Sequence, residues 1–213
     1  PGEIKALCNI SRPDSGLITN IGKAHLEGFN GFDGVVKAKS ELFDFLKSDK
    51  GKIYFNRSDE LLCKLVDDYK NTECYGSKDC TCSGEITESV PTLKIKLIAY
   101  GKEMYVETQL YGDYNLNNIL AAACIGLDTG MPVEEIKKGI ESYRPSNMRS
   151  QIIQIGNLTV IMDCYNANPS SMQGALHSMS NFASAKKVVI LGGMKELGDE
   201  SAAEHKKLGK LLE

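Results

Sequence analysis

The sequence predicts an α/β protein of two domains, and three features carry that expectation. Short apolar runs of strand length alternate with longer stretches whose apolar residues recur every three or four positions. Turn-forming residues separate most of these segments. A polar break at Arg144-Pro145-Ser146-Asn147 ends one strand–helix series, and a second series begins after it. The expected domains are therefore residues 1–146 and 147–213.

In the first domain, LITNIG (17–22) reads as a short buried strand and DGVVKAKSELFDFLK (33–47) as an amphipathic helix. KIYFN (52–56) is a strand. SDELLCKLVDDY (58–69) follows as a helix, with Ser58 its expected N-cap. TLKIKLIAY and MYVETQLYG alternate apolar and polar residues around Gly101-Lys102, the pattern of an antiparallel hairpin. NLNNILAAACIGLDT (115–129) is an Ala-rich helix closed by Gly130. VEEIKKGIESY (133–143) is another, entered through Pro132 at its first position. In the second domain QIIQIG and LTVIMD pair as a hairpin. The polar turn CYNANPSS then leads into a helix (170–182), a strand KVVILGG, and a helix from about Ser201. This order resembles the opening of a nucleotide-binding α/β domain.

The bulk numbers exclude several classes. A net charge of -3, with 25% charged residues, leaves no basic footprint for nucleic acid or an anionic membrane. No apolar run reaches the length of a bilayer span. Pro1-Gly2-Glu3-Ile4 has neither the basic nor the apolar region of a secretory signal, and the missing initiator Met points to a boundary inside a longer protein. The 7 cysteines, odd in number and scattered, fit the reduced thiols of a cytoplasmic protein. Cys74, Cys80 and Cys82 cluster, but without a CxxC pair or a neighbouring His they make a poor zinc site.

The 33–47 helix holds an anomaly. Val35, Leu42 and Leu46 define its apolar stripe, and Lys39 falls at the vacant place in that stripe, whereas Lys37 points elsewhere. A lysine there either lays its stem along the apolar face with its ammonium in water, or sits desolvated with a lowered pKa. In the second case the neutral amine can take up carbon dioxide, and the resulting carbamate is an oxygen ligand suited to Mg²⁺. His25 stands just past the LITNIG strand, where the sites of α/β folds gather. A lone histidine is equally a structural hydrogen-bonding group.

ITNIGKAHLEGF followed by AKSEL resembles the central ATPase domain of the Mur ligases, the ATP-dependent amide ligases of peptidoglycan synthesis. The resemblance implies a mixed-sheet ATPase domain followed by a Rossmann-like domain. It also implies a catalytic metal site in which His25 and a carbamylated Lys39 help to hold Mg²⁺. GDYNLNNILAAACIGLDTGM resembles the family's HNxxNxxAA segment, with Tyr114 in place of the first His. That maps an adenine contact onto Asn118, with Asn115 one turn earlier. RPSNMRSQ resembles the phosphate-contacting arginine segment and maps it onto Arg149. MDCYNANPSSM resembles the start of the C-terminal domain, where the ribose-contacting acid maps onto Asp163. The strings PGEI, YNANPSSM and GGMKELGDES look most like the type that adds D-alanyl-D-alanine, although Gly193 stands where that type has an acid. The implied partners are ATP, UDP-MurNAc-tripeptide and D-Ala-D-Ala, met by a monomer in the cytoplasm. Tyr165, Asn166 and Asn168 are the expected dipeptide contacts.

Each mapped residue has its own chemistry. An asparagine amide carries donor and acceptor and can read an adenine edge. The fork of Arg149 suits phosphate oxygens, or equally an ion pair bridging domains. Asp163 can accept both ribose hydroxyls, or close an Asx-turn. No G-x-x-x-x-G-K-[ST] phosphate loop occurs. In the family that loop, a Mg²⁺-binding glutamate and the UDP-sugar domain precede the residue that stands first here. A chain of this extent is therefore not expected to complete the ligation alone. Two other readings stay open. One is another Mur-fold ligase of the diaminopimelate-adding or folylpolyglutamate type, the former expected to carry a DNPR-like motif where this chain has YNANPSS. The other is a non-catalytic nucleotide-binding domain.

Overall fold

The structure, a computed structural model, describes residues 1–23, 26–184 and 186–212. Its centre is a six-stranded sheet with the strands in chain order. β1 (Ser15–Leu17), β2 (Lys52–Asn56), β3 (Thr72–Tyr75) and β4 (Cys82–Glu88) are parallel neighbours. β5 (Lys94–Ala99) and β6 (Lys102–Glu107) extend the sheet antiparallel. The helix α1 (Glu3–Ser11) packs on α2 (Phe32–Asp49), which crosses from β1 to β2, and α3 (Glu60–Val66) crosses from β2 to β3.

The alternation of side chains along β2 explains the two layers around it. Ile53 and Phe55 face Phe43, Leu46, Leu62 and Val66 of α2 and α3. Tyr54 faces the other way, toward Ile119, Leu120, Ala123, Cys124 and Leu127 of α4 (Asn115–Asp128). α5 (Val133–Ser142) joins that second layer through Ile136. Each fully buried leucine or phenylalanine in these layers contributes about 2 kcal/mol. The end of α4 is tied to β2 by charge. Lys52 Nζ donates to Asp128 at 2.7 Å, and the Tyr54 hydroxyl donates to Asp128 Oδ2 at 2.6 Å. An acid in the last turn of a helix is disfavoured by the helix dipole, and these donors offset that.

The remaining chain forms a hairpin, β7 (Gln151–Ile155) with β8 (Leu158–Met162), then α6 (Pro169–Ser180), a 3₁₀ turn at Gly198–Glu200, and α7 (Ser201–Lys210). An apolar cluster presses this part onto the first, with Leu26 and Val35 against Met194, Leu197 and Leu208. Beside it Glu204, only 3% exposed, accepts from Lys207 at 2.7 Å and from Lys23 at 3.2 Å.

Several expected elements differ. The first strand was expected over 17–22, but pairing with β2 runs from Ser15↔Lys52 to Leu17↔Tyr54 and stops. The chain then leaves the sheet, with Ile18 still buried. α3 is capped by Asp59, not Ser58. The Asp59 carboxylate accepts from the backbone of Leu61 and Leu62, while Ser58 Oγ donates to the Gly76 carbonyl. Pro132 is the N-cap of α5, since its ψ of 141° is not helical. KVVILGG forms no strand: it joins neither of the two described sheets, and Ile190 is 94% exposed. Cys74 and Cys80 are joined in a disulfide rather than both being free thiols, as a turn with Cys80 N donating to the Ser77 carbonyl brings them together.

The carboxyls of Asp128 and Glu204 are both held below the usual carboxylate range, by Lys52 and by Lys207 respectively. A depressed folded-state pKa means the unfolded chain binds more protons as pH falls. The stabilisation is therefore complete above about pH 5 and is lost as pH drops through the folded-state values. Urea unfolding from about pH 6 to about pH 3 should show the advantage of the wild type over Asp128→Asn shrinking toward acid. A difference that stays constant across that range would refute the assignment.

Candidate active site

A cavity of about 930 Å³ opens where the chain beyond β1, the first turn of α4, the 143–150 segment and the start of α6 meet. Lys39, Asn115, Asn118, Arg149, Asp163, Tyr165, Asn166 and Asn168 all line it. The chain thus brings the described members of the expected site into one hollow from widely separated positions. His25 lies outside the described residues.

Lys39 reaches the cavity from α2, on the face next to buried Val35 and Ala38. Its Nζ donates to the Asn20 carbonyl at 2.8 Å. That carbonyl is available because β1 has already left the sheet, so no ladder partner claims it. Burial pushes the Lys39 amine below its ordinary pKa. Of the two alternatives for this lysine, the half-buried and partly desolvated amine describes it better than an ammonium held in open water.

The two asparagines of α4 divide the work. Asn115 is buried; its Nδ2 donates to the Tyr111 carbonyl at 2.7 Å, and its Oδ1 accepts from Asn118 Nδ2 at 3.0 Å. Asn118 is exposed at the cavity, and among the described residues its side-chain oxygen has no donor. Asn115 therefore holds the helix start and orients Asn118. Asn168 is likewise partly committed. It is the N-cap of α6, its Oδ1 accepting from Ser171 N at 3.0 Å within a capping box. What it can still offer a ligand is its amide N–H groups.

Arg149 is presented by a bent backbone. Its neighbours Met148 and Ser150 both have positive φ, 57° and 51°. Cys164 N donates to the Met148 carbonyl at 2.9 Å, and Ser150 N donates to Asp163 Oδ1 at 3.4 Å, so the segment lies alongside the chain that follows β8. The guanidinium stacks on the Tyr165 ring at 3.7 Å from its centroid. Among the described residues it has no other partner, which leaves its in-plane N–H donors facing the hollow. Together, among the described residues, the site offers a half-buried amine, an amide oxygen without a donor, a carboxylate and a guanidinium without an ion pair. That set suits a polyanionic nucleotide whose base and sugar need polar contacts.

Sequence reasoning missed Tyr114, Ser150 and Asn20, which also line the cavity. The signal for Tyr114 was present, since it occupies the place of a motif histidine. Ser150 and Asn20 carried none. Among the described residues no group of three or more His, Cys, Asp or Glu side chains is placed to hold a metal ion.

Residues 1–126 match the Mur ligase middle domain, and residues 148–213 match the Mur ligase, glutamate ligase domain. UDP-N-acetylmuramoyl-tripeptide–D-alanyl-D-alanine ligase of Buchnera aphidicola is 34% identical over 100% of this chain and 47% of its own length. The crystal structure of MurF from Acinetobacter baumannii superposes with a TM-score of 0.89 at 30% identity, covering 99% of this chain and 47% of that one. MurF ligase from Thermotoga maritima, solved in complex with ADP, gives 0.88 at 27% identity, covering 100% of this chain and 49% of that one. The chain thus spans about half the length of the relatives it matches.

Tyr165→Phe keeps a ring beneath Arg149, whereas Tyr165→Leu removes the only described contact of the guanidinium. ADP calorimetry on the full-length protein should give nearly wild-type affinity for the Phe variant and about five-fold weaker binding for the Leu variant. Equal affinities in all three proteins would show that the stack does not matter.

Proposed function

The chain belongs to the Mur ligase family, and from that premise we propose that it is the ATP-handling core of a ligase that adds D-Ala-D-Ala to UDP-MurNAc-tripeptide. One observation carries this reading. The residues that the family pattern marks for adenine, ribose, phosphate and the reactive lysine line a single cavity. Relatives named UDP-N-acetylmuramoyl-tripeptide–D-alanyl-D-alanine ligase support the choice of acceptor, and the ADP complex of a structural neighbour supports the nucleotide. No described helix is long and apolar enough to cross a membrane. We place the intact enzyme in the cytoplasm as a monomer.

In this reading Asn118, oriented by Asn115, accepts from the adenine amine. Asp163 accepts from the ribose hydroxyls, and Arg149 spans phosphate oxygens. A carboxylate oxygen of the tripeptide attacks the γ-phosphorus, the bond to the β-phosphate oxygen breaks, and ADP leaves. The dipeptide amine then attacks the acyl carbon, phosphate leaves, and the amine loses a proton. Negative charge on the transferring group is the main obstacle, and Arg149 lowers it by position and charge. Tyr165, Asn166 and the amide donors of Asn168 form the wall toward the acceptor dipeptide. The domains proposed are residues 1–146 and 147–213, meeting at the cavity.

The family metal fits what Lys39 offers. The amine is half-buried, faces the cavity, and has a pKa lowered by burial, which favours the neutral form whose lone pair attacks carbon dioxide. The carbamylated Lys39 would hold Mg²⁺ together with His25. When bound, the ion supplies neutralisation of phosphate charge.

ADP release by the full-length protein should depend on both the tripeptide nucleotide and D-Ala-D-Ala. Lys39→Ala should lower that rate at least about 100-fold, with partial recovery in formate, which replaces the missing carbamate oxygens. Carbon-13 bicarbonate should give the wild type a carbamate resonance that Lys39→Arg lacks. Full activity in Lys39→Ala would remove the lysine from the mechanism, and indifference to D-Ala-D-Ala would remove the acceptor.

A further inference from the structure

Tyr114 carries none of the roles assigned so far, yet it is set into the cavity wall with unusual constraint. Its ring occupies a slot between two glycines. A Cβ at Gly112 would lie 2.4 Å from Tyr114 Cε1, and a Cβ at Gly174 would lie 3.2 Å from Cδ1. Gly112 has φ of 93°, a conformation glycine adopts without cost. Gly112 belongs to the first part of the chain and Gly174 to α6 in the second, so the ring touches both.

The Tyr114 hydroxyl is hydrogen-bonded to Ser150 Oγ. Ser150 is 5% exposed, and among the described residues its side chain has no other partner. A buried hydroxyl without a partner is costly, so this bond decides how Ser150 sits. Ser150 N in turn donates to Asp163 Oδ1, and Arg149 is its immediate neighbour in the chain. A phenol carries its polar atom farther from Cα than an imidazole does. The tyrosine found where the motif has histidine can therefore span this gap.

From this arrangement we infer that Tyr114 is a positioning residue: it fixes Ser150, and through Ser150 it aims Asp163 and Arg149 at the nucleotide. Tyr114 acts from the adenine end of the site on the ribose and phosphate contacts of the other half. The bond crosses between the two parts of the chain, so it also registers their alignment. The inference rests on the nucleotide assignment made for this cavity and extends it to a residue that makes no direct contact with the reacting atoms.

The test is a double-mutant cycle on the full-length protein with Tyr114→Phe, which keeps the ring in its slot, and Ser150→Ala. Each single variant should raise the KM for ATP about five-fold and leave the KM for D-Ala-D-Ala unchanged. The double variant should be no worse than either single one, because both remove the same bond. An unchanged KM for ATP in Tyr114→Phe, or effects that multiply in the double variant, would overturn the inference. ADP affinity measured by calorimetry on the same four proteins reads the cycle without ligase turnover. If the wild type binds ADP but is indifferent to D-Ala-D-Ala, the acceptor assignment fails while the coupling in ADP affinity still decides the role of Tyr114. A wild type that binds no ADP overturns both.

Discussion

Glu204 has almost no contact with solvent, and the ammonium groups that stabilise it come from different parts of the fold. Lys207 is three residues along the same helix, whereas Lys23 arrives from the segment beyond β1. A carboxylate taken out of water is costly unless its partners are in place, and removing one partner is more damaging than the pair is stabilising. Leu26, Val35, Met194, Leu197 and Leu208 form an apolar cluster between the same two parts of the chain. On the far side of the junction, Tyr111 and Phe182 rings approach to 5.5 Å between centroids. The seating of the second part on the first is thus specified by charge as well as by apolar contact. The large cavity has walls from both parts, so its shape depends on that seating.

Local pattern made much of the central sheet legible. The β5–β6 hairpin carries a period of two and α4 a period of three to four that survive in the structure, while β2 is a short continuous apolar run buried along its length. β3 and β4 do not announce themselves. Thr72–Tyr75 is short and mixed, and β4 carries Glu85 and Glu88 on its surface, where Lys96 and Lys94 of β5 pair with them. What makes those residues a strand is the neighbouring strand, which a single segment cannot reveal. KVVILGG is the converse case. It has a strand composition, but the described chain gives it no partner, and its backbone stays irregular.

The candidate site was legible where chemistry conflicts with pattern. Lys39 stood out because a cation occupied an apolar stripe, and the structure gives it a half-buried place at the cavity. Asn118 and Arg149 were legible only through a family pattern. The division of labour between Asn115 and Asn118 was not visible at all, since it depends on which amide reaches the Tyr111 carbonyl. Tyr114 shows the limit of such reading. One wall of its slot is Gly174, which lies far along the chain and where a Cβ would crowd the ring at 3.2 Å, a closeness that appears only after folding.

The left-handed residues on either side of Arg149 carry a further consequence. Met148 and Ser150 are not glycines, and a backbone of that hand costs each about 1 kcal/mol. The surrounding hydrogen bonds absorb this cost when the chain folds, before any ligand arrives. Glycine at 148 would relieve that strain and raise thermal stability. The same change would let the arginine wander, so its ordering would fall due at every binding event. A more stable protein with a looser grip on anions is the trade that this short stretch of backbone avoids.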